Sequence, residues 1–264
     1  EDGRWKKEDA GGTGDRGVYS FCMCPGDQIV PTSLRPDHLC VNGMSYSNRG
    51  SRWANSAVVV SVGASYGDYP GLQQDASATA GAAGGDGDGD AAAQPELAGL
   101  LFQEDMESRA AKMGGGDLKC PVQRVTDFLD GVDPTDDDPP LPPSSYRLGV
   151  KAAPLHTLYP PAITQALRDG IRSFASSMPG FDCGEALLHG VETRTSAPVQ
   201  IARDGNTCEA VGLYNLFPAG EGAGYAGGIV SAAVDGLRVA EALLQVAEEG
   251  AEGGRASGES EAGR

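Results

Sequence analysis

The chain has 264 residues, long enough to bury a substantial core as one large domain or two small ones. Its 37 acidic against 20 basic residues give a formal net charge of -17, which repels nucleic-acid backbones and anionic membrane surfaces as partners. No window approaches the roughly twenty apolar residues of a membrane-spanning helix, so the chain reads as soluble.

The 39 glycines and 17 prolines, roughly a fifth of the sequence, imply that part of it stays outside any packed core. Four segments lack apolar periodicity and are expected to be loops or disordered: residues 1–16, an Ala/Gly/Asp-rich insertion at about 73–95, the Asp/Pro run at 130–143, and the tail 248–264. The first of these is charged and has no apolar run of the signal-peptide kind, and it does not begin with Met. Six cysteines over this length fit a reducing compartment better than a disulfide framework.

In chain order, residues 17–62 alternate short β-prone runs, "VYSFCMC", "QIVPTS" and "AVVVSV", with turn residues, which predicts a small antiparallel sheet. Leu97, Leu100, Leu101, Met106 and Ala110 recur at helical spacing before "GGGD", and a second short helix is predicted at 125–129. Pro161 stands where a third helix can start, with Ile163, Ala166, Leu167, Ile171 and Phe174 on one face. From Asp182 onward the pattern is strand, strand, strand, helix. Asp204-Gly205 provides a hairpin turn between "PVQIAR" and "TCEAVGLYNLF".

The stretch Phe217 to Leu244, "FPAGEGAGYAGGIVSAAVDGLRVAEALL", carries the candidate site. A β-prone run is expected to deliver the chain to a glycine-rich turn. Beyond it Ile229, Val230, Ala233, Val234, Leu237, Ala240 and Leu244 form an apolar stripe, predicting an amphipathic helix over about 226–246 packed through one face. A helix start offers unpaired amides and a partial positive charge, and glycine lets a ligand approach the backbone. Glu221, within the loop, could accept hydrogen bonds from ligand hydroxyls. The same glycines equally suit a tightly packed loop with no ligand.

The glycine-rich signature resembles the carboxy-terminal motif of an uncharacterised family of FAD-dependent dehydrogenases found in bacteria and plastid-bearing eukaryotes. "YSFCMCPGDQIV", "VNGMSYSNRGSRWANSAVVVSV", "CPVQRVTDFLDG" with "SSYRLGV", and "VETRTSAPVQIARDG" are similar to the same family in the same order. The resemblance implies a mixed α/β (α+β) fold: residues 17–200 would be part of an inserted antiparallel-sheet substrate domain, and 201–247 the closing strand, loop and helix of an FAD-binding domain. It implies FAD as cofactor, NADH or NADPH as possible electron donor, a small-molecule substrate, and a location in plastid or cytoplasm. Gly220, Glu221, Gly222, Gly224, Gly227, Gly228 and Ile229 would line the flavin. There the helix start would stabilise the negative charge that flavin develops on accepting hydride.

Three departures from the family's pattern stand out: Asn215, Leu216 and Phe217 look inserted before the loop, Asp27 stands where glycine is usual, and Ala197 where serine is usual. No GxGxxG follows a strand near the amino terminus, so the chain is expected to be the C-terminal part of a longer protein whose other half holds the FAD pyrophosphate.

Arg194 is the remaining candidate, a guanidinium able to grip carboxylate or phosphate near flavin or substrate, or else to pair with Glu192 or another acid. Asn42, Ser45, Tyr46, Arg49 and Asn55 form a polar cluster that either faces substrate or serves turns. Cys22, Cys24, His38 and Cys40 have spacings compatible with zinc, but residues two apart on a strand share a face and small buried thiols are common; no metal is expected. His156 and His189 receive no role. The alternative to an oxidoreductase is an acidic, non-enzymatic interaction module whose glycine loop packs against a partner.

Overall fold

The computed structural model describes residues 16–33, 35–63, 68 and 95–261, with the side chains of Cys22, Pro95 and 247–261 left out. The expectations for 1–15 and for most of 73–95 lie outside the described residues. The chain divides into two compact units after Thr193, seven residues before the boundary expected from sequence.

In the first unit β1 (Val18–Pro25) pairs antiparallel with β4 (Ala54–Val60), and β2 (Gln28–Pro31) with β3 (Val41–Met44), two separate antiparallel pairs where the alternating runs predict one small sheet. The tight link between β1 and β2 is locked from below by Asp27, fully buried at 0% exposure. Its carboxylate accepts the Ser45 hydroxyl at 2.6 Å and the Tyr46 amide at 2.8 Å, while its carbonyl accepts Ser51 Oγ at 2.7 Å. The Ser45 hydroxyl, foremost, holds the Asp27 carboxyl below its usual range. One residue, through its carboxylate and its backbone, thereby fixes the loop 45–53.

α1 (Ala98–Gly114) stops at Gly115, whose amide turns back to the Lys112 carbonyl, within the "GGGD" that predicts its end. Its buried face is Met106, Ala110 and Ala111, whereas Leu100 and Leu101 are about 40% exposed. Glu107 is buried on the same face and accepts the Thr193 hydroxyl at 2.6 Å. α1 packs on a three-stranded sheet in which β5 (Cys120–Arg124) runs parallel to β6 (Val150–Ala152) and antiparallel to β7 (Leu187–His189). α2 (Val125–Asp130) follows β5 directly, and α3 (Pro161–Ser177) begins at its proline.

Ile163, Leu167, Ile171 and Phe174 of α3 are all buried, each contributing about 2 kcal/mol of transfer free energy. α3 packs against β1 and β4. With Val122, Val125, Phe128, Leu155 and Leu158, its Ile163, Leu167 and Ile171 build one continuous core. The Asp/Pro run is described throughout. Its turn is closed by Asp138, which accepts the Thr135 amide and hydroxyl, and Arg124 donates to the carbonyls of Pro139 and Pro140.

The second unit departs from the predicted strands. "PVQIAR" and "TCEAVGLYNLF" reduce to one antiparallel bridge, Arg203 with Ala210, around the expected Asp204 turn. Asp204 caps that turn by accepting the amides of Asn206 and Thr207, and its own amide reaches the Glu209 carbonyl. Past Ala210 the chain coils, because the Ala210 amide bonds the Leu216 carbonyl and Glu209 takes the Asn215 amide. These closures leave Val211, Leu213 and Tyr214 outward, so no strand leads into the glycine loop.

α4 runs Ile229–Glu261, starting three residues later than predicted and keeping helical backbone past residue 246. The small core of this unit is Cys208, Val239 and Ala242, with Phe217 packed against it.

Candidate functional site

The glycine loop is held by an ion pair absent from the sequence-based reading. Arg203 Nη2 meets Asp235 Oδ1 at 2.5 Å and Nη1 meets Oδ2 at 3.0 Å, with the two side chains only 4% and 11% exposed. This two-pronged geometry is the strong form of a charged hydrogen bond. The Arg203 bond lowers the Asp235 pKa to about 2.

Each partner also grips the loop backbone: Arg203 Nη1 donates to the Pro218 carbonyl at 2.6 Å, and Asp235 Oδ2 accepts the Gly220 amide at 2.9 Å. The Arg203 guanidinium lies 3.5 Å from the ring centre of Tyr225.

A strip of chain runs alongside. The Ile201 amide bonds the Ala223 carbonyl, Gln200 Nε2 the Gly224 carbonyl, and Tyr225 Oη the Ile201 carbonyl. At Gly224, φ is +83° and a Cβ would stand 2.5 Å from the Val199 carbonyl oxygen and 2.7 Å from Gln200 Cα. That glycine answers to packing within the chain itself. At Gly222, by contrast, a Cβ would meet nothing within 4 Å. The loop therefore combines a packed side and an open one, dividing the two readings that the sequence leaves open.

The helix start is capped from inside. Ser231 Oγ accepts the Gly228 amide and donates to the Gly228 carbonyl, a capping-box arrangement in which serine takes the third helical position. The next amides, of Ile229 and Val230, have no internal acceptor by helix geometry, and these residues are 86% and 75% exposed. The partial positive end of α4 faces solvent there.

Of the predicted site residues, Glu221, Gly222 and Ile229 are exposed, Gly220, Gly227 and Gly228 are half-buried, and Gly224 is packed against Val199 and Gln200. Arg194 heads the strip whose Thr195 and Ser196 border Gly227, 3.5 Å from where its Cβ would stand. Arg203, Tyr225, Ser231 and Asp235 are the residues sequence reasoning missed. The only signal was Asp235 lying off the apolar stripe, which carries no indication of its partner.

Several of the other candidates are engaged in the fold, whereas Asn55 Nδ2 is buried without a hydrogen-bond partner. Ser45 and Tyr46 serve Asp27, Arg49 sits at φ +39° with its amide on the Tyr46 carbonyl, and Asn42 and Asn55 lie in ladder pairs with Val30 and Cys24. His156 contacts Gln123 and Asp133; His189 Nε2 lies 2.7 Å from Ser144 Oγ. Among the described residues no group of three or more His, Cys, Asp or Glu is placed to hold a metal ion. No described helix is long and apolar enough to cross a membrane.

A mixed α/β body of small antiparallel pairs, followed by a glycine loop feeding a long helix, is the fold class these observations define. Residues 6–195 match the family described as "FAD-dependent protein, C-terminal domain-like", and the chain belongs to that family. An uncharacterized protein of Clostridium beijerinckii (strain ATCC 51743 / NCIMB 8052) is 40% identical over 230 residues, 87% of this chain and 38% of that protein. The chain thus spans less than half of the relative's length. The family match ends before the glycine loop, whereas the matched stretch of the relative is long enough that it must take the loop in.

Proposed function

We propose that the chain is the C-terminal part of an FAD-dependent oxidoreductase, a dehydrogenase passing hydride through flavin, and that its open glycine surface receives the flavin. Membership of the FAD-dependent family supports the cofactor. The observation that carries the site is the open side of the loop: the Gly222 Cβ position is empty, and the exposed Ile229 and Val230 sit at a helix start.

The residues fit such a group. Gly220, Gly222, Gly227 and Gly228 offer backbone for close approach, Glu221 can accept ligand hydroxyls, and Ile229 gives an apolar contact. Arg194, at the head of the bordering strip, would hold a negative group on ligand or substrate. When bound, FAD supplies hydride acceptance and donation, with NADH or NADPH as donor. The chain supplies a rigid loop and, at the first amides of α4, an electrostatic bias toward negative charge. The remaining part of a longer protein would supply the other half of the flavin site.

The test is the absorption spectrum of the intact Clostridium beijerinckii relative, purified and folded. Bound flavin that bleaches anaerobically with a nicotinamide donor is expected. Folded protein that releases no flavin on denaturation overturns the proposal.

A further inference from the structure

The Asp/Pro run ends in Pro139-Pro140-Leu141-Pro142-Pro143, a stretch whose chemistry leaves the backbone little choice. Each pyrrolidine ring fixes φ at about -65°, and every residue standing before a proline is pushed out of the helical region. The stretch is therefore a polyproline helix, with three residues to the turn. Burial follows that period. Leu141 packs against the core of the first unit, and Ser144, three places on, lies against His189 Nε2. Pro140 and Pro143, also three apart, are both exposed on another face.

The stretch is fixed before any partner meets it. Arg124 donates to the Pro139 and Pro140 carbonyls, and Asp138 closes the turn ahead of them. Among the described residues the carbonyls of Leu141, Pro142 and Pro143 accept no hydrogen bond. A proline ridge with such carbonyls suits an aromatic-lined groove, where rings pack on the pyrrolidines and indole or phenol groups donate to the carbonyls. Prior ordering of the ridge lowers the entropy lost on docking.

We infer that Pro140 and Pro143 form a docking ridge for a separate protein of the proline-recognition type, whose groove is lined by aromatic rings and bordered by basic residues. The basic border is selected by Asp136, Asp137 and Asp138, all exposed directly ahead of the ridge, on a chain whose net charge is -17. The inference is independent of flavin, since the ridge belongs to the first unit and not to the glycine loop.

The 264-residue chain, titrated into isotope-labelled SH3, WW and EVH1 domains with basic residues beside the groove, tests it by magnetic resonance. Micromolar binding by at least one domain is expected, with the signals of its groove shifting, and several-fold weaker binding by domains with an acidic border. Pro140→Ala and Pro143→Ala each remove one ring from the ridge, and each is expected to weaken binding about tenfold while leaving first-unit unfolding unchanged. The reverse titration needs no substitution and decides the matter where a variant unfolds more easily. In the labelled chain the amides of Leu141 and Ser145 should shift while those of α3 stay in place.

Failure of every domain to bind at millimolar concentration overturns the inference. So does binding that both proline variants leave unchanged, and so do shifts in the labelled chain that fall outside residues 136–147. Equal binding by basic-bordered and acidic-bordered domains overturns the choice of partner. Docking on the ridge in a protein that never retains flavin upholds this inference while the oxidoreductase reading fails.

Discussion

Arg203 and Asp235 bind each other through two hydrogen bonds and bind the two shoulders of the glycine loop, Pro218 and Gly220, with the same groups. The shape of the loop is therefore set by a charged pair on its inner side, before any ligand arrives. Pre-shaping of this kind lowers the entropy lost when a ligand binds.

Asp235→Asn should break that clamp, leaving Arg203 with neutral partners only: the introduced amide, the Pro218 carbonyl and the Tyr225 ring. Removing one side of a largely buried pair costs about 3 kcal/mol, here confined to the second unit. Hydrogen exchange at the Gly220 amide is the direct measurement: it should accelerate sharply in the variant, while the core amides of α3 keep their protection.

The pair also predicts an acid limit. The Asp235 pKa lies at about 2 in the fold against 3.8 ordinarily, so the unfolded chain binds the proton first as pH falls. Its contribution is fully present above about pH 4 and is lost as pH falls through 2. Titrating second-unit unfolding over that range should show the loss in the native chain and not in Asp235→Asn.

His189 sets a second window. Burial, the larger influence, pulls its pKa down to about 4 from 6.5, against the opposing bond at the Leu187 carbonyl. The neutral tautomer with its proton on Nδ1 satisfies Leu187, and Nε2 then accepts the Ser144 hydroxyl. Between pH 6.5 and 4 the unfolded chain takes a proton that the folded one refuses. First-unit stability should therefore fall by about 3 kcal/mol across that window as pH drops. Denaturant midpoints at pH 7 and pH 4.5 measure it, and His189→Gln should flatten the difference.

Gly222→Leu and Gly224→Ala separate ligand from packing. Alanine at 224 meets the Val199 carbonyl and a left-handed backbone, so it should destabilise the second unit by about 2 kcal/mol or more. A Cβ at 222 meets nothing within 4 Å, so a side chain there points into open space at its root. The corresponding change in an intact flavoprotein should leave unfolding unaltered and lower flavin retention; unchanged retention would remove Gly222 from the cofactor surface.

Thiol chemistry should divide by depth. Cys183 is exposed, whereas Cys120 is fully enclosed beside the Gly190 carbonyl and burial pushes its pKa up to about 12. A disulfide reagent at pH 8 should modify Cys183 within minutes and reach Cys120 only on unfolding. Peptide mapping of the modified protein distinguishes them.

Much of the first unit was legible because its signals are local. Pro161 and the spacing of Ile163, Leu167, Ile171 and Phe174 specify α3 without reference to anything distant, and "GGGD" marks the end of α1. The parallel pairing of β5 with β6 was not legible, since five and three residues carry no period that names a partner strand. Val211 to Phe217 reads as a strand by composition and coils because Glu209 and Ala210 reach forward to Asn215 and Leu216. Composition cannot display those bonds. In the site, the glycines announced themselves, whereas Arg203 and Asp235 are 32 positions apart and meet only in the fold. The stripe on α4 was read correctly and its direction was not, since Val234, Leu237 and Leu244 are more than half exposed: the periodicity of a helix says which residues share a face and nothing about what covers it.

Asp27 makes the loop at 45–53 hang on a single hydroxyl. With no path to water, its carboxylate depends on the Ser45 hydroxyl and the Tyr46 amide, so an aspartate arriving there ahead of the serine would leave one oxygen stranded. Losing the serine hydroxyl alone therefore costs more than losing the hydroxyl and the carboxylate together. Grafting Asp27 alone into a homologue should fail where grafting both residues succeeds.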